Sequence, residues 1–199
     1  MSIISARVRA ADEAFAAVKD FYFTSRYAER RSEPRICDFT FGNPHEMPLD
    51  GFVTALRERA VPHDKNWFAY KTSEEEPQAF IAQQLSRELA LPFEPPDIAL
   101  TAGAFAAIMV AFRLVLDVGD EAIISEPAWF CYEPMLLAAD AAPRKVKLKA
   151  PTFDLDLAAI DTAIGPKTRL VIVNSPHNPT GRIYDGNVLK ELADPYARR

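Results

Sequence analysis

The residues best suited to bind a ligand lie in the run Asn-Ser-Pro-His-Asn-Pro-Thr-Gly at 174–181, which begins where the apolar segment 168–174 ends. That segment predicts a strand buried on both faces, and Pro176 and Pro179 predict a rigid turn around Asn178. An asparagine amide in a stiff loop at a strand end is a good hydrogen-bonding group for a ligand. The alternative is that Asn178 only satisfies the geometry of the turn.

Two earlier segments also place candidate binding residues directly after a predicted strand. After the strand predicted at 97–101, Gly103 indicates a turn and Ala104 begins a helix, whose free backbone N–H groups suit a phosphate. After the strand predicted at 121–125, Trp129, Phe130 or Tyr132 can face the same crevice, where an aromatic ring can stack on a flat ligand. An ordinary strand–turn–helix connection and a core tryptophan are the alternatives.

These three segments follow three different strands of one predicted sheet. From residue 97 onward, short apolar strands alternate with helices, which predicts an α/β fold with a mostly parallel sheet and flanking helices. In such sheets, ligands bind at the carboxyl ends of the strands. We therefore expect the three segments to lie at the same edge of the sheet.

The remaining elements follow from apolar periodicity and from capping residues. Ser73 and Glu76 have the spacing of a capping box, which predicts a helix start. The helix at 104–116 is apolar on nearly all sides, which predicts that it is buried. A further strand is predicted at 144–149. Helices are predicted at 10–29, 49–60, 73–90, 104–116 and 185–199, with shorter ones inside 127–140 and before Ile164.

The composition argues against several classes of function. The 199 residues carry a formal net charge of −5 without a basic block, which argues against nucleic acid as a partner. No apolar run approaches the ~20 residues that span a bilayer, and no signal peptide is evident, so we expect a cytoplasmic protein without a membrane segment. Two cysteines make no disulfide framework, and no ligand spacing predicts a metal site.

Together these segments resemble the class I/II aminotransferases, which are pyridoxal-phosphate enzymes of fold type I. The run at 174–181 resembles their Asn-Pro-x-Asn-Pro-Thr-Gly element. The resemblance extends over residues 36–199 and keeps the family's order. Four more segments carry it: CDFTFGNPHEMP (37–48), WFAYKTS (67–73), LTAGAFAAI (100–108) and DVGDEAIISEPAWFCY (117–132).

The resemblance implies a set of residues that bind pyridoxal 5'-phosphate. At the turn marked by Gly103, Ala104 and Phe105 would donate backbone N–H groups to the phosphate. Trp129 would stack on the ring, and Asn178 would hydrogen-bond the ring oxygen. These roles follow from the positions that match the family's motifs.

The resemblance also implies contacts with the substrate and with a second subunit. Gly42 would lie beside the substrate, and Asn178 would help to hold the substrate carboxylate. Tyr70 would reach across a homodimer to the partner's cofactor phosphate. His177 lies near the site, where packing or hydrogen bonding is the more plausible role than acid–base chemistry.

The implied function is the N-terminal part of an aminotransferase that transfers an amino group between an amino acid and a 2-oxo acid. Residues 1–48 would be an N-terminal arm with a small-domain segment, and 49–199 a truncated cofactor-binding large domain. The family's Schiff-base lysine follows the Asn-Pro-Thr-Gly element, so we expect it beyond Arg199 and assign no catalytic residue here. A non-catalytic truncated chain and a fragment of a pyridoxal-phosphate-dependent amino-acid lyase are the alternatives.

The same reasoning predicts gaps in the fold of these 199 residues. In the family, later strands separate the strand at 97–101 from the others. We therefore expect 97–101 to lack a pairing partner and the edge of 168–174 to be open. An open apolar edge favours association with other chains.

Overall fold

The computed structural model describes residues 3–42, 44 and 46–195, which form two compact units. One unit, called the sheet unit below, comprises the residues up to Arg31 and those from Phe105 onward. The other comprises Ser32–Ala104. Within the described ranges, no helix is long and apolar enough to cross a membrane. Cys37 and Cys131 are both free, Cys37 at the surface and Cys131 buried.

The sheet unit is built around three parallel strands in the order β2-β1-β3. β1 is the central strand, and its residues 122–125 are all buried. Ile123 and Ile124 are almost fully buried in two separate hydrophobic cores, one on each face of the sheet. The strands are β1 (Glu121–Glu126), β2 (Ala142–Lys147) and β3 (Thr168–Ile172).

Helices cover both faces of this sheet. The core around Ile124 is completed by residues of α6 and α7, and the core around Ile123 by residues of α8 and α9. The carboxylate of Asp156 accepts the Ala159 N–H at the start of α8, as expected of a helix cap. The helices of the sheet unit are α1 (Ala6–Ala14), α2 (Ala16–Thr24), α3 (Arg26–Arg30), α6 (Gly103–Val115), α7 (Tyr132–Ala138), α8 (Leu157–Ala163) and α9 (Gly186–Ala193).

The Ser32–Ala104 unit contains α4 (Asp50–Arg59), α5 (Glu75–Leu89) and a short 3-10 helix, Pro95–Asp97. The two helices confirm the predictions at 49–60 and 73–90. The predicted capping box is wrong, because Glu74, and not Ser73, is the N-cap residue and makes no side-chain cap hydrogen bond.

The predicted α/β fold with a parallel sheet and flanking helices is confirmed, but the single helix predicted at 10–29 is wrong. The chain instead forms α1, α2 and α3. Ser25 has an extended backbone, and its hydroxyl accepts the N–H of Tyr27, so it ends one helix and caps the next. Phe15 separates α1 from α2 and packs its ring 5.7 Å from that of Phe130.

The strand predicted at 97–101 is also wrong. Residues 98–101 have no strand assignment, and in the described part of the chain no strand pairs with them. A strand needs a neighbour for its backbone groups, and here the Gln78 side chain bonds the Ile98 carbonyl oxygen at 2.6 Å instead. The expectation that this segment lacks a partner is therefore confirmed.

The predicted burial of β3 on both faces and the predicted burial of α6 are both wrong, because the described residues leave one side of each element uncovered. β3 ends at Ile172 and has no buried residue, because it is an edge strand of the described sheet. In α6 only Phe112 is buried, whereas Val110 is 56% exposed and Leu114 is 82% exposed. The sequence is apolar enough for burial, but the described residues provide no layer that covers these faces.

The helix predicted at 185–199 is shorter in the structure: α9 ends at Ala193, before Pro195.

The open edge of β3 and the apolar face of α6 predict that the 199-residue polypeptide self-associates. In sedimentation velocity we expect species heavier than 22.2 kDa whose proportion rises with concentration. The double substitution Val110→Glu/Leu114→Glu should reduce association, since a buried leucine alone contributes about 1.5–3 kcal/mol. Thr162→Glu, which adds a charge at an exposed position on α8, is the control and should change little. A wild-type chain that stays monomeric would contradict this prediction.

Candidate functional site

The candidate site lies at the carboxyl ends of β1 and β3. The two strands are adjacent and parallel, with Ile124 opposite Ile172, so both chain segments leave the sheet at the same edge. A small cleft there is lined by residues that follow each strand, including Tyr132 after β1 and His177 after β3. Two of the three predicted segments therefore meet at one edge of the sheet.

The third predicted segment is the turn that begins α6. Gly103 has a φ of +81°, which favours glycine, and no atom lies within 4 Å of the position that a Cβ would take. The Gly103 N–H donates to the Thr101 carbonyl oxygen at 2.8 Å. Ala104 and Phe105 follow in the first helical turn, where backbone N–H groups have no intrahelical acceptor, and both residues are exposed. Such a turn has the donors and the positive dipole end that suit an anion.

Trp129, in the connection after β1, packs against Phe105 of α6. Its indole is half-buried, and the Phe105 ring packs against it at 6.1 Å and an angle of 83°. The Tyr132 ring makes a second contact with the indole, with 5.2 Å between the ring centroids and an interplanar angle of 86°. Two edge-to-face contacts fix the plane of the indole next to the first turn of α6. Burial raises the pKa of Tyr132, so its hydroxyl stays protonated at neutral pH.

Asn178 lies in the loop 174–182, called the Asn178 loop below. Its N–H donates to the side-chain oxygen of Asn174 at 2.8 Å, and its own side chain is exposed. The loop is closed by two backbone hydrogen bonds, from His177 N–H to the Arg182 carbonyl at 2.8 Å and from Gly181 N–H to the His177 carbonyl at 2.7 Å. The amide of Asn178 is thus presented to solvent from a loop with a fixed backbone.

His177 is the buried polar residue of this loop. It is 6% exposed, and its Nδ1 lies 2.9 Å from the Thr180 hydroxyl oxygen. Its ring packs against Tyr184 with 6.0 Å between centroids. Burial lowers the pKa of His177, which favours the neutral ring. His177 thus packs and hydrogen-bonds within the loop, and its role toward a ligand stays a prediction.

Gly42 and Tyr70 belong to the Ser32–Ala104 unit. Both are exposed, and no atom lies within 4 Å of the position that a Cβ would take on Gly42. Their implied roles toward substrate and partner stay predictions.

The described lysines near the sheet are surface residues. Lys145 pairs with Glu133 at 2.7 Å, and Lys147 is exposed on the same strand. In the other unit Lys71 bonds Glu74 at 2.9 Å. No group of three or more potential metal ligands occurs among the described residues.

Two residues that shape the Asn178 loop have no signal in the sequence. Arg182 bonds Asp154, which lies 28 positions earlier, through its Nε at 2.7 Å. Tyr184 is 6% exposed in the core around Ile123. Neither contact has a local spacing pattern, because each depends on how the connections after β2 and β3 come together.

The family model for class I and II aminotransferases matches residues 35–199. Among curated relatives, the chain is 32% identical over 166 residues to a probable aspartate/prephenate aminotransferase of Thermus aquaticus. It is also 32% identical over 155 residues to an aspartate aminotransferase of Geobacillus stearothermophilus. These matches cover 83% and 77% of this chain but only 43% and 38% of the relatives, so the chain spans about two fifths of their length.

Solved structures agree with this assignment. The aspartate aminotransferase of Thermus thermophilus with maleate matches all of this chain and 51% of its own, with a TM-score of 0.78 and 26% identity. The N-succinyldiaminopimelate aminotransferase of Mycobacterium tuberculosis matches 77% of this chain with a TM-score of 0.66 and 28% identity. Because the family model covers most of its residues and its fold follows these enzymes, the chain belongs to the class I and II aminotransferase family.

Proposed function

We propose that this chain is the N-terminal part of an aminotransferase that moves an amino group between an amino acid and a 2-oxo acid. The observation that carries the proposal is the meeting of three segments: Phe105 in the first turn of α6 contacts Trp129, and the connection after β1 shares a cleft with the Asn178 loop. Family membership supports the reaction class.

The cofactor of this proposal is pyridoxal 5'-phosphate, on which this family generally depends. The exposed first turn of α6 has open space at Gly103 and, at Ala104 and Phe105, backbone N–H groups without an intrahelical acceptor, which suit a phosphate. The half-buried indole of Trp129 offers a flat surface for the ring. Ala104 and Phe105 would thus hold the phosphate, and Asn178 the ring oxygen. When bound, the cofactor supplies an electron sink for carbanion chemistry at the amino acid.

The residues of this chain would bind and orient, and none of them would transfer a proton. The Asn178 amide would donate a hydrogen bond to the ring oxygen and help to hold the substrate carboxylate. Trp129 would exclude water from one face of the ring. Gly42 would leave room for the substrate, and Tyr70 would reach the partner's cofactor phosphate in a homodimer.

The cellular and domain assignments complete the proposal. We place the enzyme in the cytoplasm, in line with a described structure that contains no helix able to cross a membrane. The division into an N-terminal arm and small-domain segment at 1–48 and a large-domain part at 49–199 also belongs to the proposal.

The 199-residue polypeptide is expected to bind the phosphate-bearing ring. In the Trp67→Phe variant, Trp129 is the single tryptophan, because the chain has two. Pyridoxine 5'-phosphate, which lacks the reactive aldehyde, should quench its fluorescence saturably. Pyridoxine without the phosphate should bind more weakly, because the donors of α6 lose their partner. Asn178→Ala should weaken binding about three- to tenfold, as expected for the loss of one hydrogen bond.

Asn187→Ala is the matched control, since Asn187 is an exposed asparagine at the start of α9. It should leave the affinity unchanged. If the folded wild-type chain shows no saturable quenching, or if both asparagine variants bind equally well, the proposed cofactor site is wrong.

The Asn178 loop should also be sensitive to acid through His177. Burial holds the pKa of His177 below its ordinary value of 6.5, so the unfolded chain takes up the proton at a higher pH than the folded chain. This contribution to stability is complete above pH 6.5. It is lost as the pH falls through 6.5 toward the folded pKa, at up to about 1.4 kcal/mol per pH unit.

Urea unfolding between pH 7.5 and 5.5 tests this prediction. The free energy of unfolding should decline less steeply with acid in His177→Asn, which keeps a polar atom near the Nδ1 position but does not titrate. His63→Asn, at an exposed position in the other unit, should retain the wild-type slope. Equal slopes for wild type and His177→Asn would contradict the prediction.

A further inference from the structure

We propose that Arg182 and Asp154 form a positioning pair that holds the Asn178 loop in its binding conformation. Neither Arg182 nor Asp154 is among the predicted site residues. Its value for ligand binding rests on the proposed function, whereas its effect on the loop does not.

Arg182 is the residue at which the loop closes. Its carbonyl oxygen accepts the His177 N–H at 2.8 Å, and its own N–H donates to the Thr180 hydroxyl oxygen at 3.3 Å. The same hydroxyl oxygen lies 2.9 Å from His177 Nδ1. A shift of the Arg182 backbone would therefore disturb one of the two hydrogen bonds that close the loop around Asn178 and the contact of Arg182 with Thr180.

The side chain of Arg182 ties this closing point to a different connection of the sheet. The Arg182 Nε lies 2.7 Å from Oδ1 of Asp154, and the Arg182 Nη2 lies 2.5 Å from the same oxygen. Asp154 follows β2, whereas Arg182 follows β3, and these strands lie on opposite sides of β1. The ion pair thus connects the segments that follow the two outer strands.

Asp154 is itself held by a closed turn. The Lys149 N–H donates to the Asp154 carbonyl oxygen at 2.9 Å, and the Phe153 N–H donates to the Lys149 carbonyl oxygen at 2.7 Å. The next residue, Leu155, is 3% exposed in the core around Ile123. Asp154 therefore offers its carboxylate from a backbone that is fixed on both sides.

The chemistry of the pair suits a role in positioning. Hydrogen bonds with Thr152 and Arg182 lower the pKa of Asp154, so the carboxylate is charged at neutral pH. The side chains of Arg182 and Asp154 are 45% and 39% exposed, and exposed pairs add little to global stability. A small free energy can still change how often a surface loop occupies one conformation. We therefore expect the pair to affect the loop more than the fold.

Amide hydrogen exchange on the full 199-residue chain tests the proposal without any ligand. Arg182→Gln should speed exchange of the His177 and Gly181 amides by about two- to fivefold. The amides of Ile123 and Ile124 in β1 should not change. Lys190→Gln, which removes the exposed pair of Lys190 with Asp194 on α9, is the matched control and should leave the loop amides unchanged.

A charge swap separates the pair from a general effect of substitution. Arg182→Asp and Asp154→Arg should each speed loop exchange, and the double variant should restore it toward the wild-type rate. Affinity for pyridoxine 5'-phosphate, read from Trp129 fluorescence, should follow the same order, with a loss of about two- to fivefold in each single variant.

The two readouts distinguish the two proposals. If the wild-type chain folds but does not bind pyridoxine 5'-phosphate, the proposed cofactor site fails, and the exchange rates still decide the role of the pair. If Arg182→Gln leaves the loop amides at their wild-type rates, or if the double variant exchanges as fast as the singles, the positioning pair is wrong.

Discussion

The structure depends on the pairing of β1 with a parallel strand on each of its edges. This pairing satisfies the backbone of the most deeply buried strand and directs Ile123 and Ile124 into separate cores. Since its neighbours run parallel to it, all three chain segments leave the sheet at one edge. Every group near the candidate site is placed from that edge: Trp129 directly, Phe105 through the ring of Trp129, and Asn178 through the loop after β3.

The groups at that edge are held by contacts of different strength. Trp129 is held by edge-to-face contacts with the rings of Phe105 in α6 and Tyr132 in α7. Asn178 depends on hydrogen bonds within its loop, which solvent can replace. Such a loop needs anchors, and on its carboxyl-terminal side they are Arg182, which bonds Asp154, and Tyr184, which lies in the core around Ile123. The indole is thus a rigid part of the fold, while the amide is placed by a balance of small contributions.

The sequence predicted what local chemistry determines. The strand at 121–125, the turn at Gly103 and the helix after it need only apolar periodicity and one glycine, and all three are present. The strand predicted at 97–101 failed because strand formation requires a partner, which no local pattern reports. Burial of α6 failed for a related reason, since an apolar helix is buried only where another layer covers it. The ion pair between Arg182 and Asp154 could not be predicted, because it joins the segments that follow β2 and β3, which are not adjacent in the sheet.

The candidate site consists of groups that do not change their charge near neutral pH. Backbone N–H groups, an indole and an amide can bind a phosphate and orient a ring, but they cannot carry a proton during a reaction. The imidazole of His177 in the Asn178 loop is buried with its Nδ1 next to the Thr180 hydroxyl, and burial favours its neutral form. Lys145, on the neighbouring strand, is held at the surface by Glu133. Under the proposed function, these groups would therefore bind and orient the cofactor.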